Sequence, residues 1–78
     1  MIDLGTGKRV VGIKQTKKAL SDGAVRSVLV ARDAEERIIA PLVELCERSS
    51  VAVTYVDSMK ELGSACGIDV GAAVVALI

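Results

Sequence analysis

The chain has 78 residues, ten basic and ten acidic side chains, and Tyr55 as its only aromatic residue. This length predicts one small domain over residues 1–78, with a core of Val, Ile, Leu and Ala side chains. The chain contains no His and no C-x-x-C pair, which argues against a zinc site, and no side-chain arrangement supports catalysis. We therefore expect a non-enzymatic protein without a cofactor, in which Cys46 and Cys66 are buried thiols.

The charges are unevenly distributed along the chain. Residues 1–26 carry six basic and two acidic side chains, a net charge of +4, whereas residues 27–78 carry four basic and eight acidic ones, a net charge of −4. This asymmetry predicts one basic face on a molecule that has no long-range attraction to polyanions. Such a protein would bind a specific nucleic-acid site with weak non-specific affinity.

The first third of the chain contains two predicted strands and a helix between them. Residues 1–8 include Gly5-Thr6-Gly7-Lys8, which lacks the spacing of a phosphate-binding loop and predicts a turn, with at most a brief helical turn. Residues 9–11 predict a short strand, and residues 14–22 predict a helix that Gly23 closes. The β-branched residues of 27–31 predict a strand buried on both faces.

Two further helix–strand pairs follow. Asp33 and Glu36 have the spacing of a helix start, although Pro41 predicts that the regular helix begins between Ile38 and Pro41 and continues to about residue 48. Residues 51–56 predict a strand. Ser58 and Glu61 form a predicted capping box for a helix that stops at Gly67, and residues 73–78 predict the last strand. The order β-α-β-α-β-α-β predicts an α/β sandwich.

No signal peptide is visible, and the apolar run 70–78 is shorter than the roughly 20 residues that span a bilayer. The sequence therefore predicts a cytoplasmic protein without a membrane partner.

Residues 12–18 are the first candidate site. Gly12 opens the helix, and Lys14, Gln15, Lys17 and Lys18 fill its first turn and a half. A helix start favours anions, so this segment suits a phosphate or an electron-rich base edge. A plain solvated helix face is the alternative, and the spacing alone does not decide between them.

The second candidate site is the connection 67–73, in which Ile68 and Val70 stand between glycines. These apolar side chains either fold into the core or form a pad for the unstacked bases that proteins read in RNA.

Taken together, the two segments resemble the kink-turn RNA-binding ribosomal-protein superfamily of the large-subunit L-seven-Ae type, most closely its small bacterial members. The resemblance is carried by residues 12–18, 30–34, 57–63 and 65–73. It implies a three-layer α-β-α sandwich around a four-stranded mixed sheet. It also implies recognition of the bend made by a three-nucleotide bulge followed by tandem sheared G·A pairs.

The resemblance further implies roles for particular residues. Gly12 would let the RNA approach the backbone, Lys14 and Gln15 would face the guanines, and Lys18 would reach a base edge or a phosphate. The complete RNA-binding set expected from the resemblance is Gly12, Ile13, Lys14, Gln15, Lys17, Lys18, Arg32, Ile68, Asp69, Val70, Gly71 and Ala72.

One pair departs from the family pattern, because archaeal and eukaryotic members carry Asn-Glu where this chain has Lys14-Gln15. Loss of the carboxylate removes a charge-assisted acceptor for guanine N–H groups, although the bacterial members share this change. The expected partner is a structured RNA that contains a kink-turn, with the ribosome as a further candidate and the protein acting as a monomer. A non-catalytic protein-interaction module on the same fold is the alternative function.

Overall fold

The computed structural model describes residues 8–78, so the turn predicted for residues 1–8 lies outside the described residues except for Lys8. Strands and helices alternate as predicted. In chain order the elements are β1 (Arg9–Val11), α1 (Ile13–Ser21), β2 (Ser27–Ala31), α2 (Glu36–Arg48), β3 (Ala52–Val56), α3 (Met59–Ala65) and β4 (Val74–Leu77).

The four strands form one mixed sheet in the order β1-β4-β2-β3. Strand β4 is antiparallel to both of its neighbours, and β2 and β3 are parallel. The carboxyl ends of β1, β2 and β3 therefore share one edge of the sheet with the start of β4. We call this the upper edge; it is marked by Val11, Ala31, Val56 and Val74.

Helices cover both faces of the sheet, which confirms the three-layer α-β-α sandwich. On one face, α3 packs through Leu62 against Leu29 and Val75. On the other face, α1 and α2 pack through Leu20 and Leu42 against the alternate strand residues, which include Val28, Val30 and Val74. Strand β2 lies in both cores, as its continuous apolar sequence predicted.

The predicted start of α2 is wrong in two respects. The helix begins at Glu36 and contains Pro41 as an exposed interior residue. Proline has no N–H to donate to the carbonyl of the preceding helical turn. Because Pro41 lies on an exposed face of the helix, that carbonyl can bond water instead. Glu35 is the N-cap and makes no side-chain cap bond.

Asp33 instead accepts a 2.8 Å hydrogen bond at its Oδ1 from the Met59 N–H, at the start of α3. It lies two residues before the N-cap of α2, too early to cap that helix, and the parallel pairing of β2 with β3 brings it next to α3.

Other local predictions are confirmed. The Glu61 N–H donates to Ser58 Oγ at 3.0 Å, which is the first of the two bonds of the predicted capping box. Gly23 and Gly67 adopt positive φ values of 69° and 76° just beyond the ends of α1 and α3. Cys46 and Cys66 are both buried free thiols. No helix in residues 8–78 has the length and apolar character needed to cross a membrane.

Candidate nucleic-acid interface

Helix α1 begins at the upper edge, and the backbone N–H groups of its first turn have no side-chain cap among the described residues. Its N-cap, Gly12, has φ 108° and ψ 154°, a conformation that essentially only glycine adopts. This first turn also contains no acidic residue. The first N–H groups therefore have no intrahelical acceptor and carry the positive end of the helix dipole, which favours an anionic or electron-rich ligand.

The exposed side of α1 adds charge to this helix start. The side chains of Lys14, Gln15, Lys17 and Lys18 are all exposed. Ile13, by contrast, is half-buried and packs against the core beneath α1 and α2, so its side chain anchors the helix. Of the predicted residues in this segment, the lysines and the glutamine are those whose side chains are free to contact a ligand.

Thr16 lies on the inner side of the same helix. It is fully buried, and its Oγ1 atom has no hydrogen-bond partner within residues 8–78. A buried hydroxyl without a hydrogen-bond partner lowers the free energy of unfolding, so Thr16 is expected to destabilise this helix.

The connection between α3 and β4 exposes an apolar surface. Ile68 is 36% exposed and Val70 is 71% exposed. The alternative in which both side chains fold into the core is therefore wrong. We refer to residues 67–73 as the apolar loop. Backbone bonds from Ile68 N–H to the Gly63 carbonyl at 3.1 Å and from Ala72 N–H to the Met59 carbonyl at 3.0 Å hold it against α3.

The members of the apolar loop differ in accessibility. Asp69 and Gly71 are exposed, whereas Ala72 is only 3% exposed and belongs to the core on the α3 face. The side chain of Ala72 therefore packs into the core, and this residue remains part of the predicted binding loop through its backbone.

Two consecutive carbonyls at the end of the apolar loop bond to the upper edge, and the second of them holds the start of α1. The Ala73 carbonyl accepts from the Ala31 N–H at 2.9 Å, and the Val74 carbonyl accepts from the Gly12 N–H at 2.9 Å. The apolar loop therefore ends at the residues that hold the start of α1. The basic helix start and the exposed apolar surface lie next to each other on the upper edge.

Arg32 lies on the same edge but is directed elsewhere. Its N–H donates to the Val56 carbonyl at 2.8 Å, and its guanidinium carbon lies 5.9 Å from the centre of the Tyr55 ring. This cation–π contact places the Arg32 side chain on the α2 side of the edge, over β3. Arg32 thus borders the candidate site.

Sequence reasoning missed how three residues shape this edge. Gly63 packs against the backbone of the apolar loop, Asp33 ties β2 to α3, and Tyr55 supports Arg32. Each contact joins two separate segments of the fold, so no local sequence pattern predicts it. Within residues 8–78, no three His, Cys, Asp or Glu side chains converge in a way that could hold a metal ion.

Comparison with known proteins identifies the class to which this architecture belongs. Residues 3–78 match the model of the ribosomal protein L7Ae/L30e/S12e/Gadd45 family. The chain is a member of this family.

Individual relatives are similar over most of their length. An RNA-binding protein of Geobacillus sp. (strain WCH70) is 53% identical over 75 residues, which cover 96% of this chain and 92% of that protein. An RNA-binding protein of Caldanaerobacter subterraneus subsp. tengcongensis is 52% identical over 69 residues, covering 88% and 84% of the two chains. A solved structure of a Bacillus halodurans protein of unknown function has a TM-score of 0.82 at 26% identity, covering 88% of this chain and 69% of that one.

Proposed function

We propose that this protein binds RNA and recognises kink-turn motifs, in which tandem sheared G·A pairs stand beside a bulge. Membership of the ribosomal protein family supports the RNA-binding part of the proposal, as do relatives that are named RNA-binding proteins and are about half identical to this chain. The kink-turn part is supported by the geometry of the upper edge.

The observation that carries the proposal is the junction at Ala73 and Val74. The Val74 carbonyl accepts from Gly12 at the start of α1, and the Ala73 carbonyl accepts from Ala31 on β2, so the end of the exposed apolar loop lies beside the basic helix start. A kink-turn offers the two matching features: purine edges with closely spaced phosphates, and looped-out bases that need an apolar contact. Neither half of the surface alone would distinguish a kinked RNA from a straight duplex.

The side chains of α1 supply the polar half of recognition. Lys14 donates to guanine acceptors, and the Gln15 amide both donates to and accepts from a base edge. Lys18 lies one turn further along α1 and reaches a base edge or a phosphate. Because Gln15 is neutral, it makes weaker bonds to guanine N–H groups than a carboxylate would.

The apolar loop supplies the other half. Ile68 and Val70 present exposed methyl groups on which the faces of looped-out nucleotides rest. Gly12 has no side chain, and within residues 8–78 no heavy atom other than those of its chain neighbours lies within 4 Å of the position that a Cβ would occupy, so a nucleotide can approach the backbone there.

The protein then acts by conformational selection and needs no catalytic group. It binds the kinked RNA more tightly than the extended form, so the RNA population shifts toward the kink by the ratio of the two affinities. We propose that it works as a cytoplasmic monomer without a cofactor. Its partner is a structured RNA that contains a kink-turn, and the ribosome is one candidate for that partner.

The test is a titration at near-physiological salt against two RNA duplexes. One contains a three-nucleotide bulge and tandem G·A pairs, and the other has Watson–Crick pairs in place of the G·A pairs. Dyes at the two ends report bending by energy transfer. We expect the kink-turn duplex to bind at least about tenfold more tightly, since each good base contact contributes roughly 1–3 kcal/mol, and to bend on binding.

Equal, weak binding to both duplexes would contradict the proposal. The basic side of α1 would then be a solvated surface or a generic phosphate patch, and the alternative of a non-catalytic protein-interaction module would be favoured.

A further inference from the structure

A groove of about 590 Å³ lies between α2 and β3; its lining includes Arg32 at the border of the candidate interface but no α1 lysine and no residue of the apolar loop. Its floor consists of small and aliphatic side chains, namely Ala34, Ile39, Ala40 and Val43. This volume is within the range of sites that bind small ligands or peptide side chains.

The rim of this groove is acidic. Glu36, Glu44 and Glu47 line it, and the only basic lining residue is Arg32. Glu44 is paired with Arg48 at 2.7 Å, but within residues 8–78 neither Glu36 nor Glu47 has an ion-pair partner. An acidic rim over an apolar floor is complementary to a chain that carries both cations and aliphatic groups, and it repels phosphates.

One side of the groove is formed by the edge strand β3, along which an extended peptide could pair. Strand β3 lies at one side of the sheet as an edge strand, and among the described strands it pairs only with β2. Its unpaired backbone edge can accept a further strand. Tyr55 on β3 is 46% exposed, and its ring already accepts the Arg32 guanidinium.

We propose that this groove docks an extended basic peptide segment of a partner protein, in which lysine or arginine alternates with aliphatic residues. The cations face Glu36 and Glu47, the aliphatic side chains contact Ala40 and Val43, and the peptide backbone lies along β3. The acidic rim selects a basic polypeptide over a nucleic acid, so this site differs in ligand class from the α1 surface. The inference does not depend on the function proposed for that surface.

The experiment uses the full chain and two synthetic eight-residue peptides at near-physiological salt. In one, lysine alternates with valine; in the other, lysine alternates with serine. Amide signals are followed by nuclear magnetic resonance. We expect the lysine–valine peptide to shift the signals of Ala40, Val43 and Tyr55, with those of α1 unchanged, and to bind at least tenfold more tightly than the lysine–serine peptide.

Two matched variants separate the groove from overall charge. Glu36→Lys with Glu47→Lys reverses the charge at two positions of the groove rim. Asp22→Lys with Glu61→Lys makes the same charge change at exposed positions outside the groove lining. The first pair is expected to weaken peptide binding at least tenfold, and the second less than twofold.

Three results would overturn the proposal: equal binding of the two peptides, equal weakening by the two variant pairs, or no shift at the groove. Shifts of groove signals that depend on protein concentration without peptide would overturn it too, since a second copy of the chain would then occupy the groove.

Discussion

Gly63 on α3 packs directly against the carbonyl oxygen of Val70, with no room for a Cβ at that position. Only glycine allows the apolar loop to lie this close to the helix. The contact holds the loop backbone against α3 at Val70, whose side chain is exposed.

Gly63→Ala is therefore expected to impair both stability and RNA binding. Alanine normally favours a helix interior by about 1 kcal/mol, but here the methyl group overlaps the loop backbone, and we expect a net loss of about 1–3 kcal/mol. Urea unfolding and a kink-turn titration measure the two effects. Ser64→Ala, at the exposed next position, serves as the control and should change neither. Normal RNA affinity in folded Gly63→Ala protein would show that the loop position is not critical.

Lys18→Ala tests the basic side of α1. Loss of one base contact should lower kink-turn affinity by roughly 1–3 kcal/mol. If Lys18 contacts a phosphate instead, the dependence of log affinity on log salt should also become shallower by about 1. Titrations at several salt concentrations distinguish these two cases. Lys8→Ala, at an exposed lysine on the opposite edge of the sheet, is the matched control. Binding that is equal for the two variants would remove Lys18 from the site.

Val70→Asp tests the apolar loop. Since this side chain is 71% exposed, the substitution should leave the fold intact. It should weaken kink-turn binding by about 1–2 kcal/mol, through lost apolar contact and repulsion of phosphates. Circular dichroism checks the fold and a titration checks binding. Ile38→Asp introduces the same charge at a 45% exposed position on α2 and should have little effect. A similar loss in both variants would indicate a general charge effect.

Thr16→Val addresses the unpaired hydroxyl inside α1. The substitution keeps the branched shape and replaces Oγ1, which has no partner in residues 8–78, by a methyl group. We expect a gain of about 1 kcal/mol in the free energy of unfolding, measured by urea denaturation, with RNA affinity unchanged. Thr54→Val, at an exposed position on β3, is the comparison. A loss of stability would mean that the hydroxyl is satisfied in solution, for example by water.

Cys46 gives the stability of the protein a pH dependence. Burial raises the pKa of the Cys46 thiol above its ordinary value of 9.0. The folded state therefore keeps the proton at pH values where the unfolded chain loses it. Stability from this group is fully present below the ordinary pKa and is lost as the pH rises through the folded-state pKa.

Urea unfolding across this alkaline range should show a steeper decline for the wild type than for Cys46→Ala. The variant loses some stability at every pH because it creates a cavity, but its curve should be flatter. Parallel curves would assign the alkaline decline to other groups.

The sequence predicted the elements well because each is governed by local signals. Alternating apolar runs located the strands, and Gly23, Ser58 and Gly67 located helix ends, where backbone geometry or a neighbouring N–H requires those residue types. The start of α2 was misplaced because Pro41 is tolerated on an exposed helix face, where its missing hydrogen bond costs less. The packing of the buried face of α2 on the sheet outweighed the preference of proline for the first turn of a helix.

From the residue pattern alone the candidate site was predictable only as two separate segments, and it was the family resemblance that implied they form one site. Their meeting depends on the insertion of β4 between β1 and β2, a non-local pairing that element order alone does not specify. The close packing of Gly63 on the loop, and the bond from Met59 to Asp33, likewise join residues whose sequence separation carries no local signal.

The grouping of these segments on the upper edge leaves the opposite edge of the sheet for other uses. The turns 22–26 and 49–51 lie there, as do Lys8 and Ile78, whose backbones are joined by a 2.9 Å hydrogen bond. Exposed turns remote from a binding surface tolerate insertions best. A fluorescent label, a surface tether or a fused effector domain placed at the 22–26 turn would point away from the start of α1 and the apolar loop, which makes this fold a compact capture module for engineered assemblies.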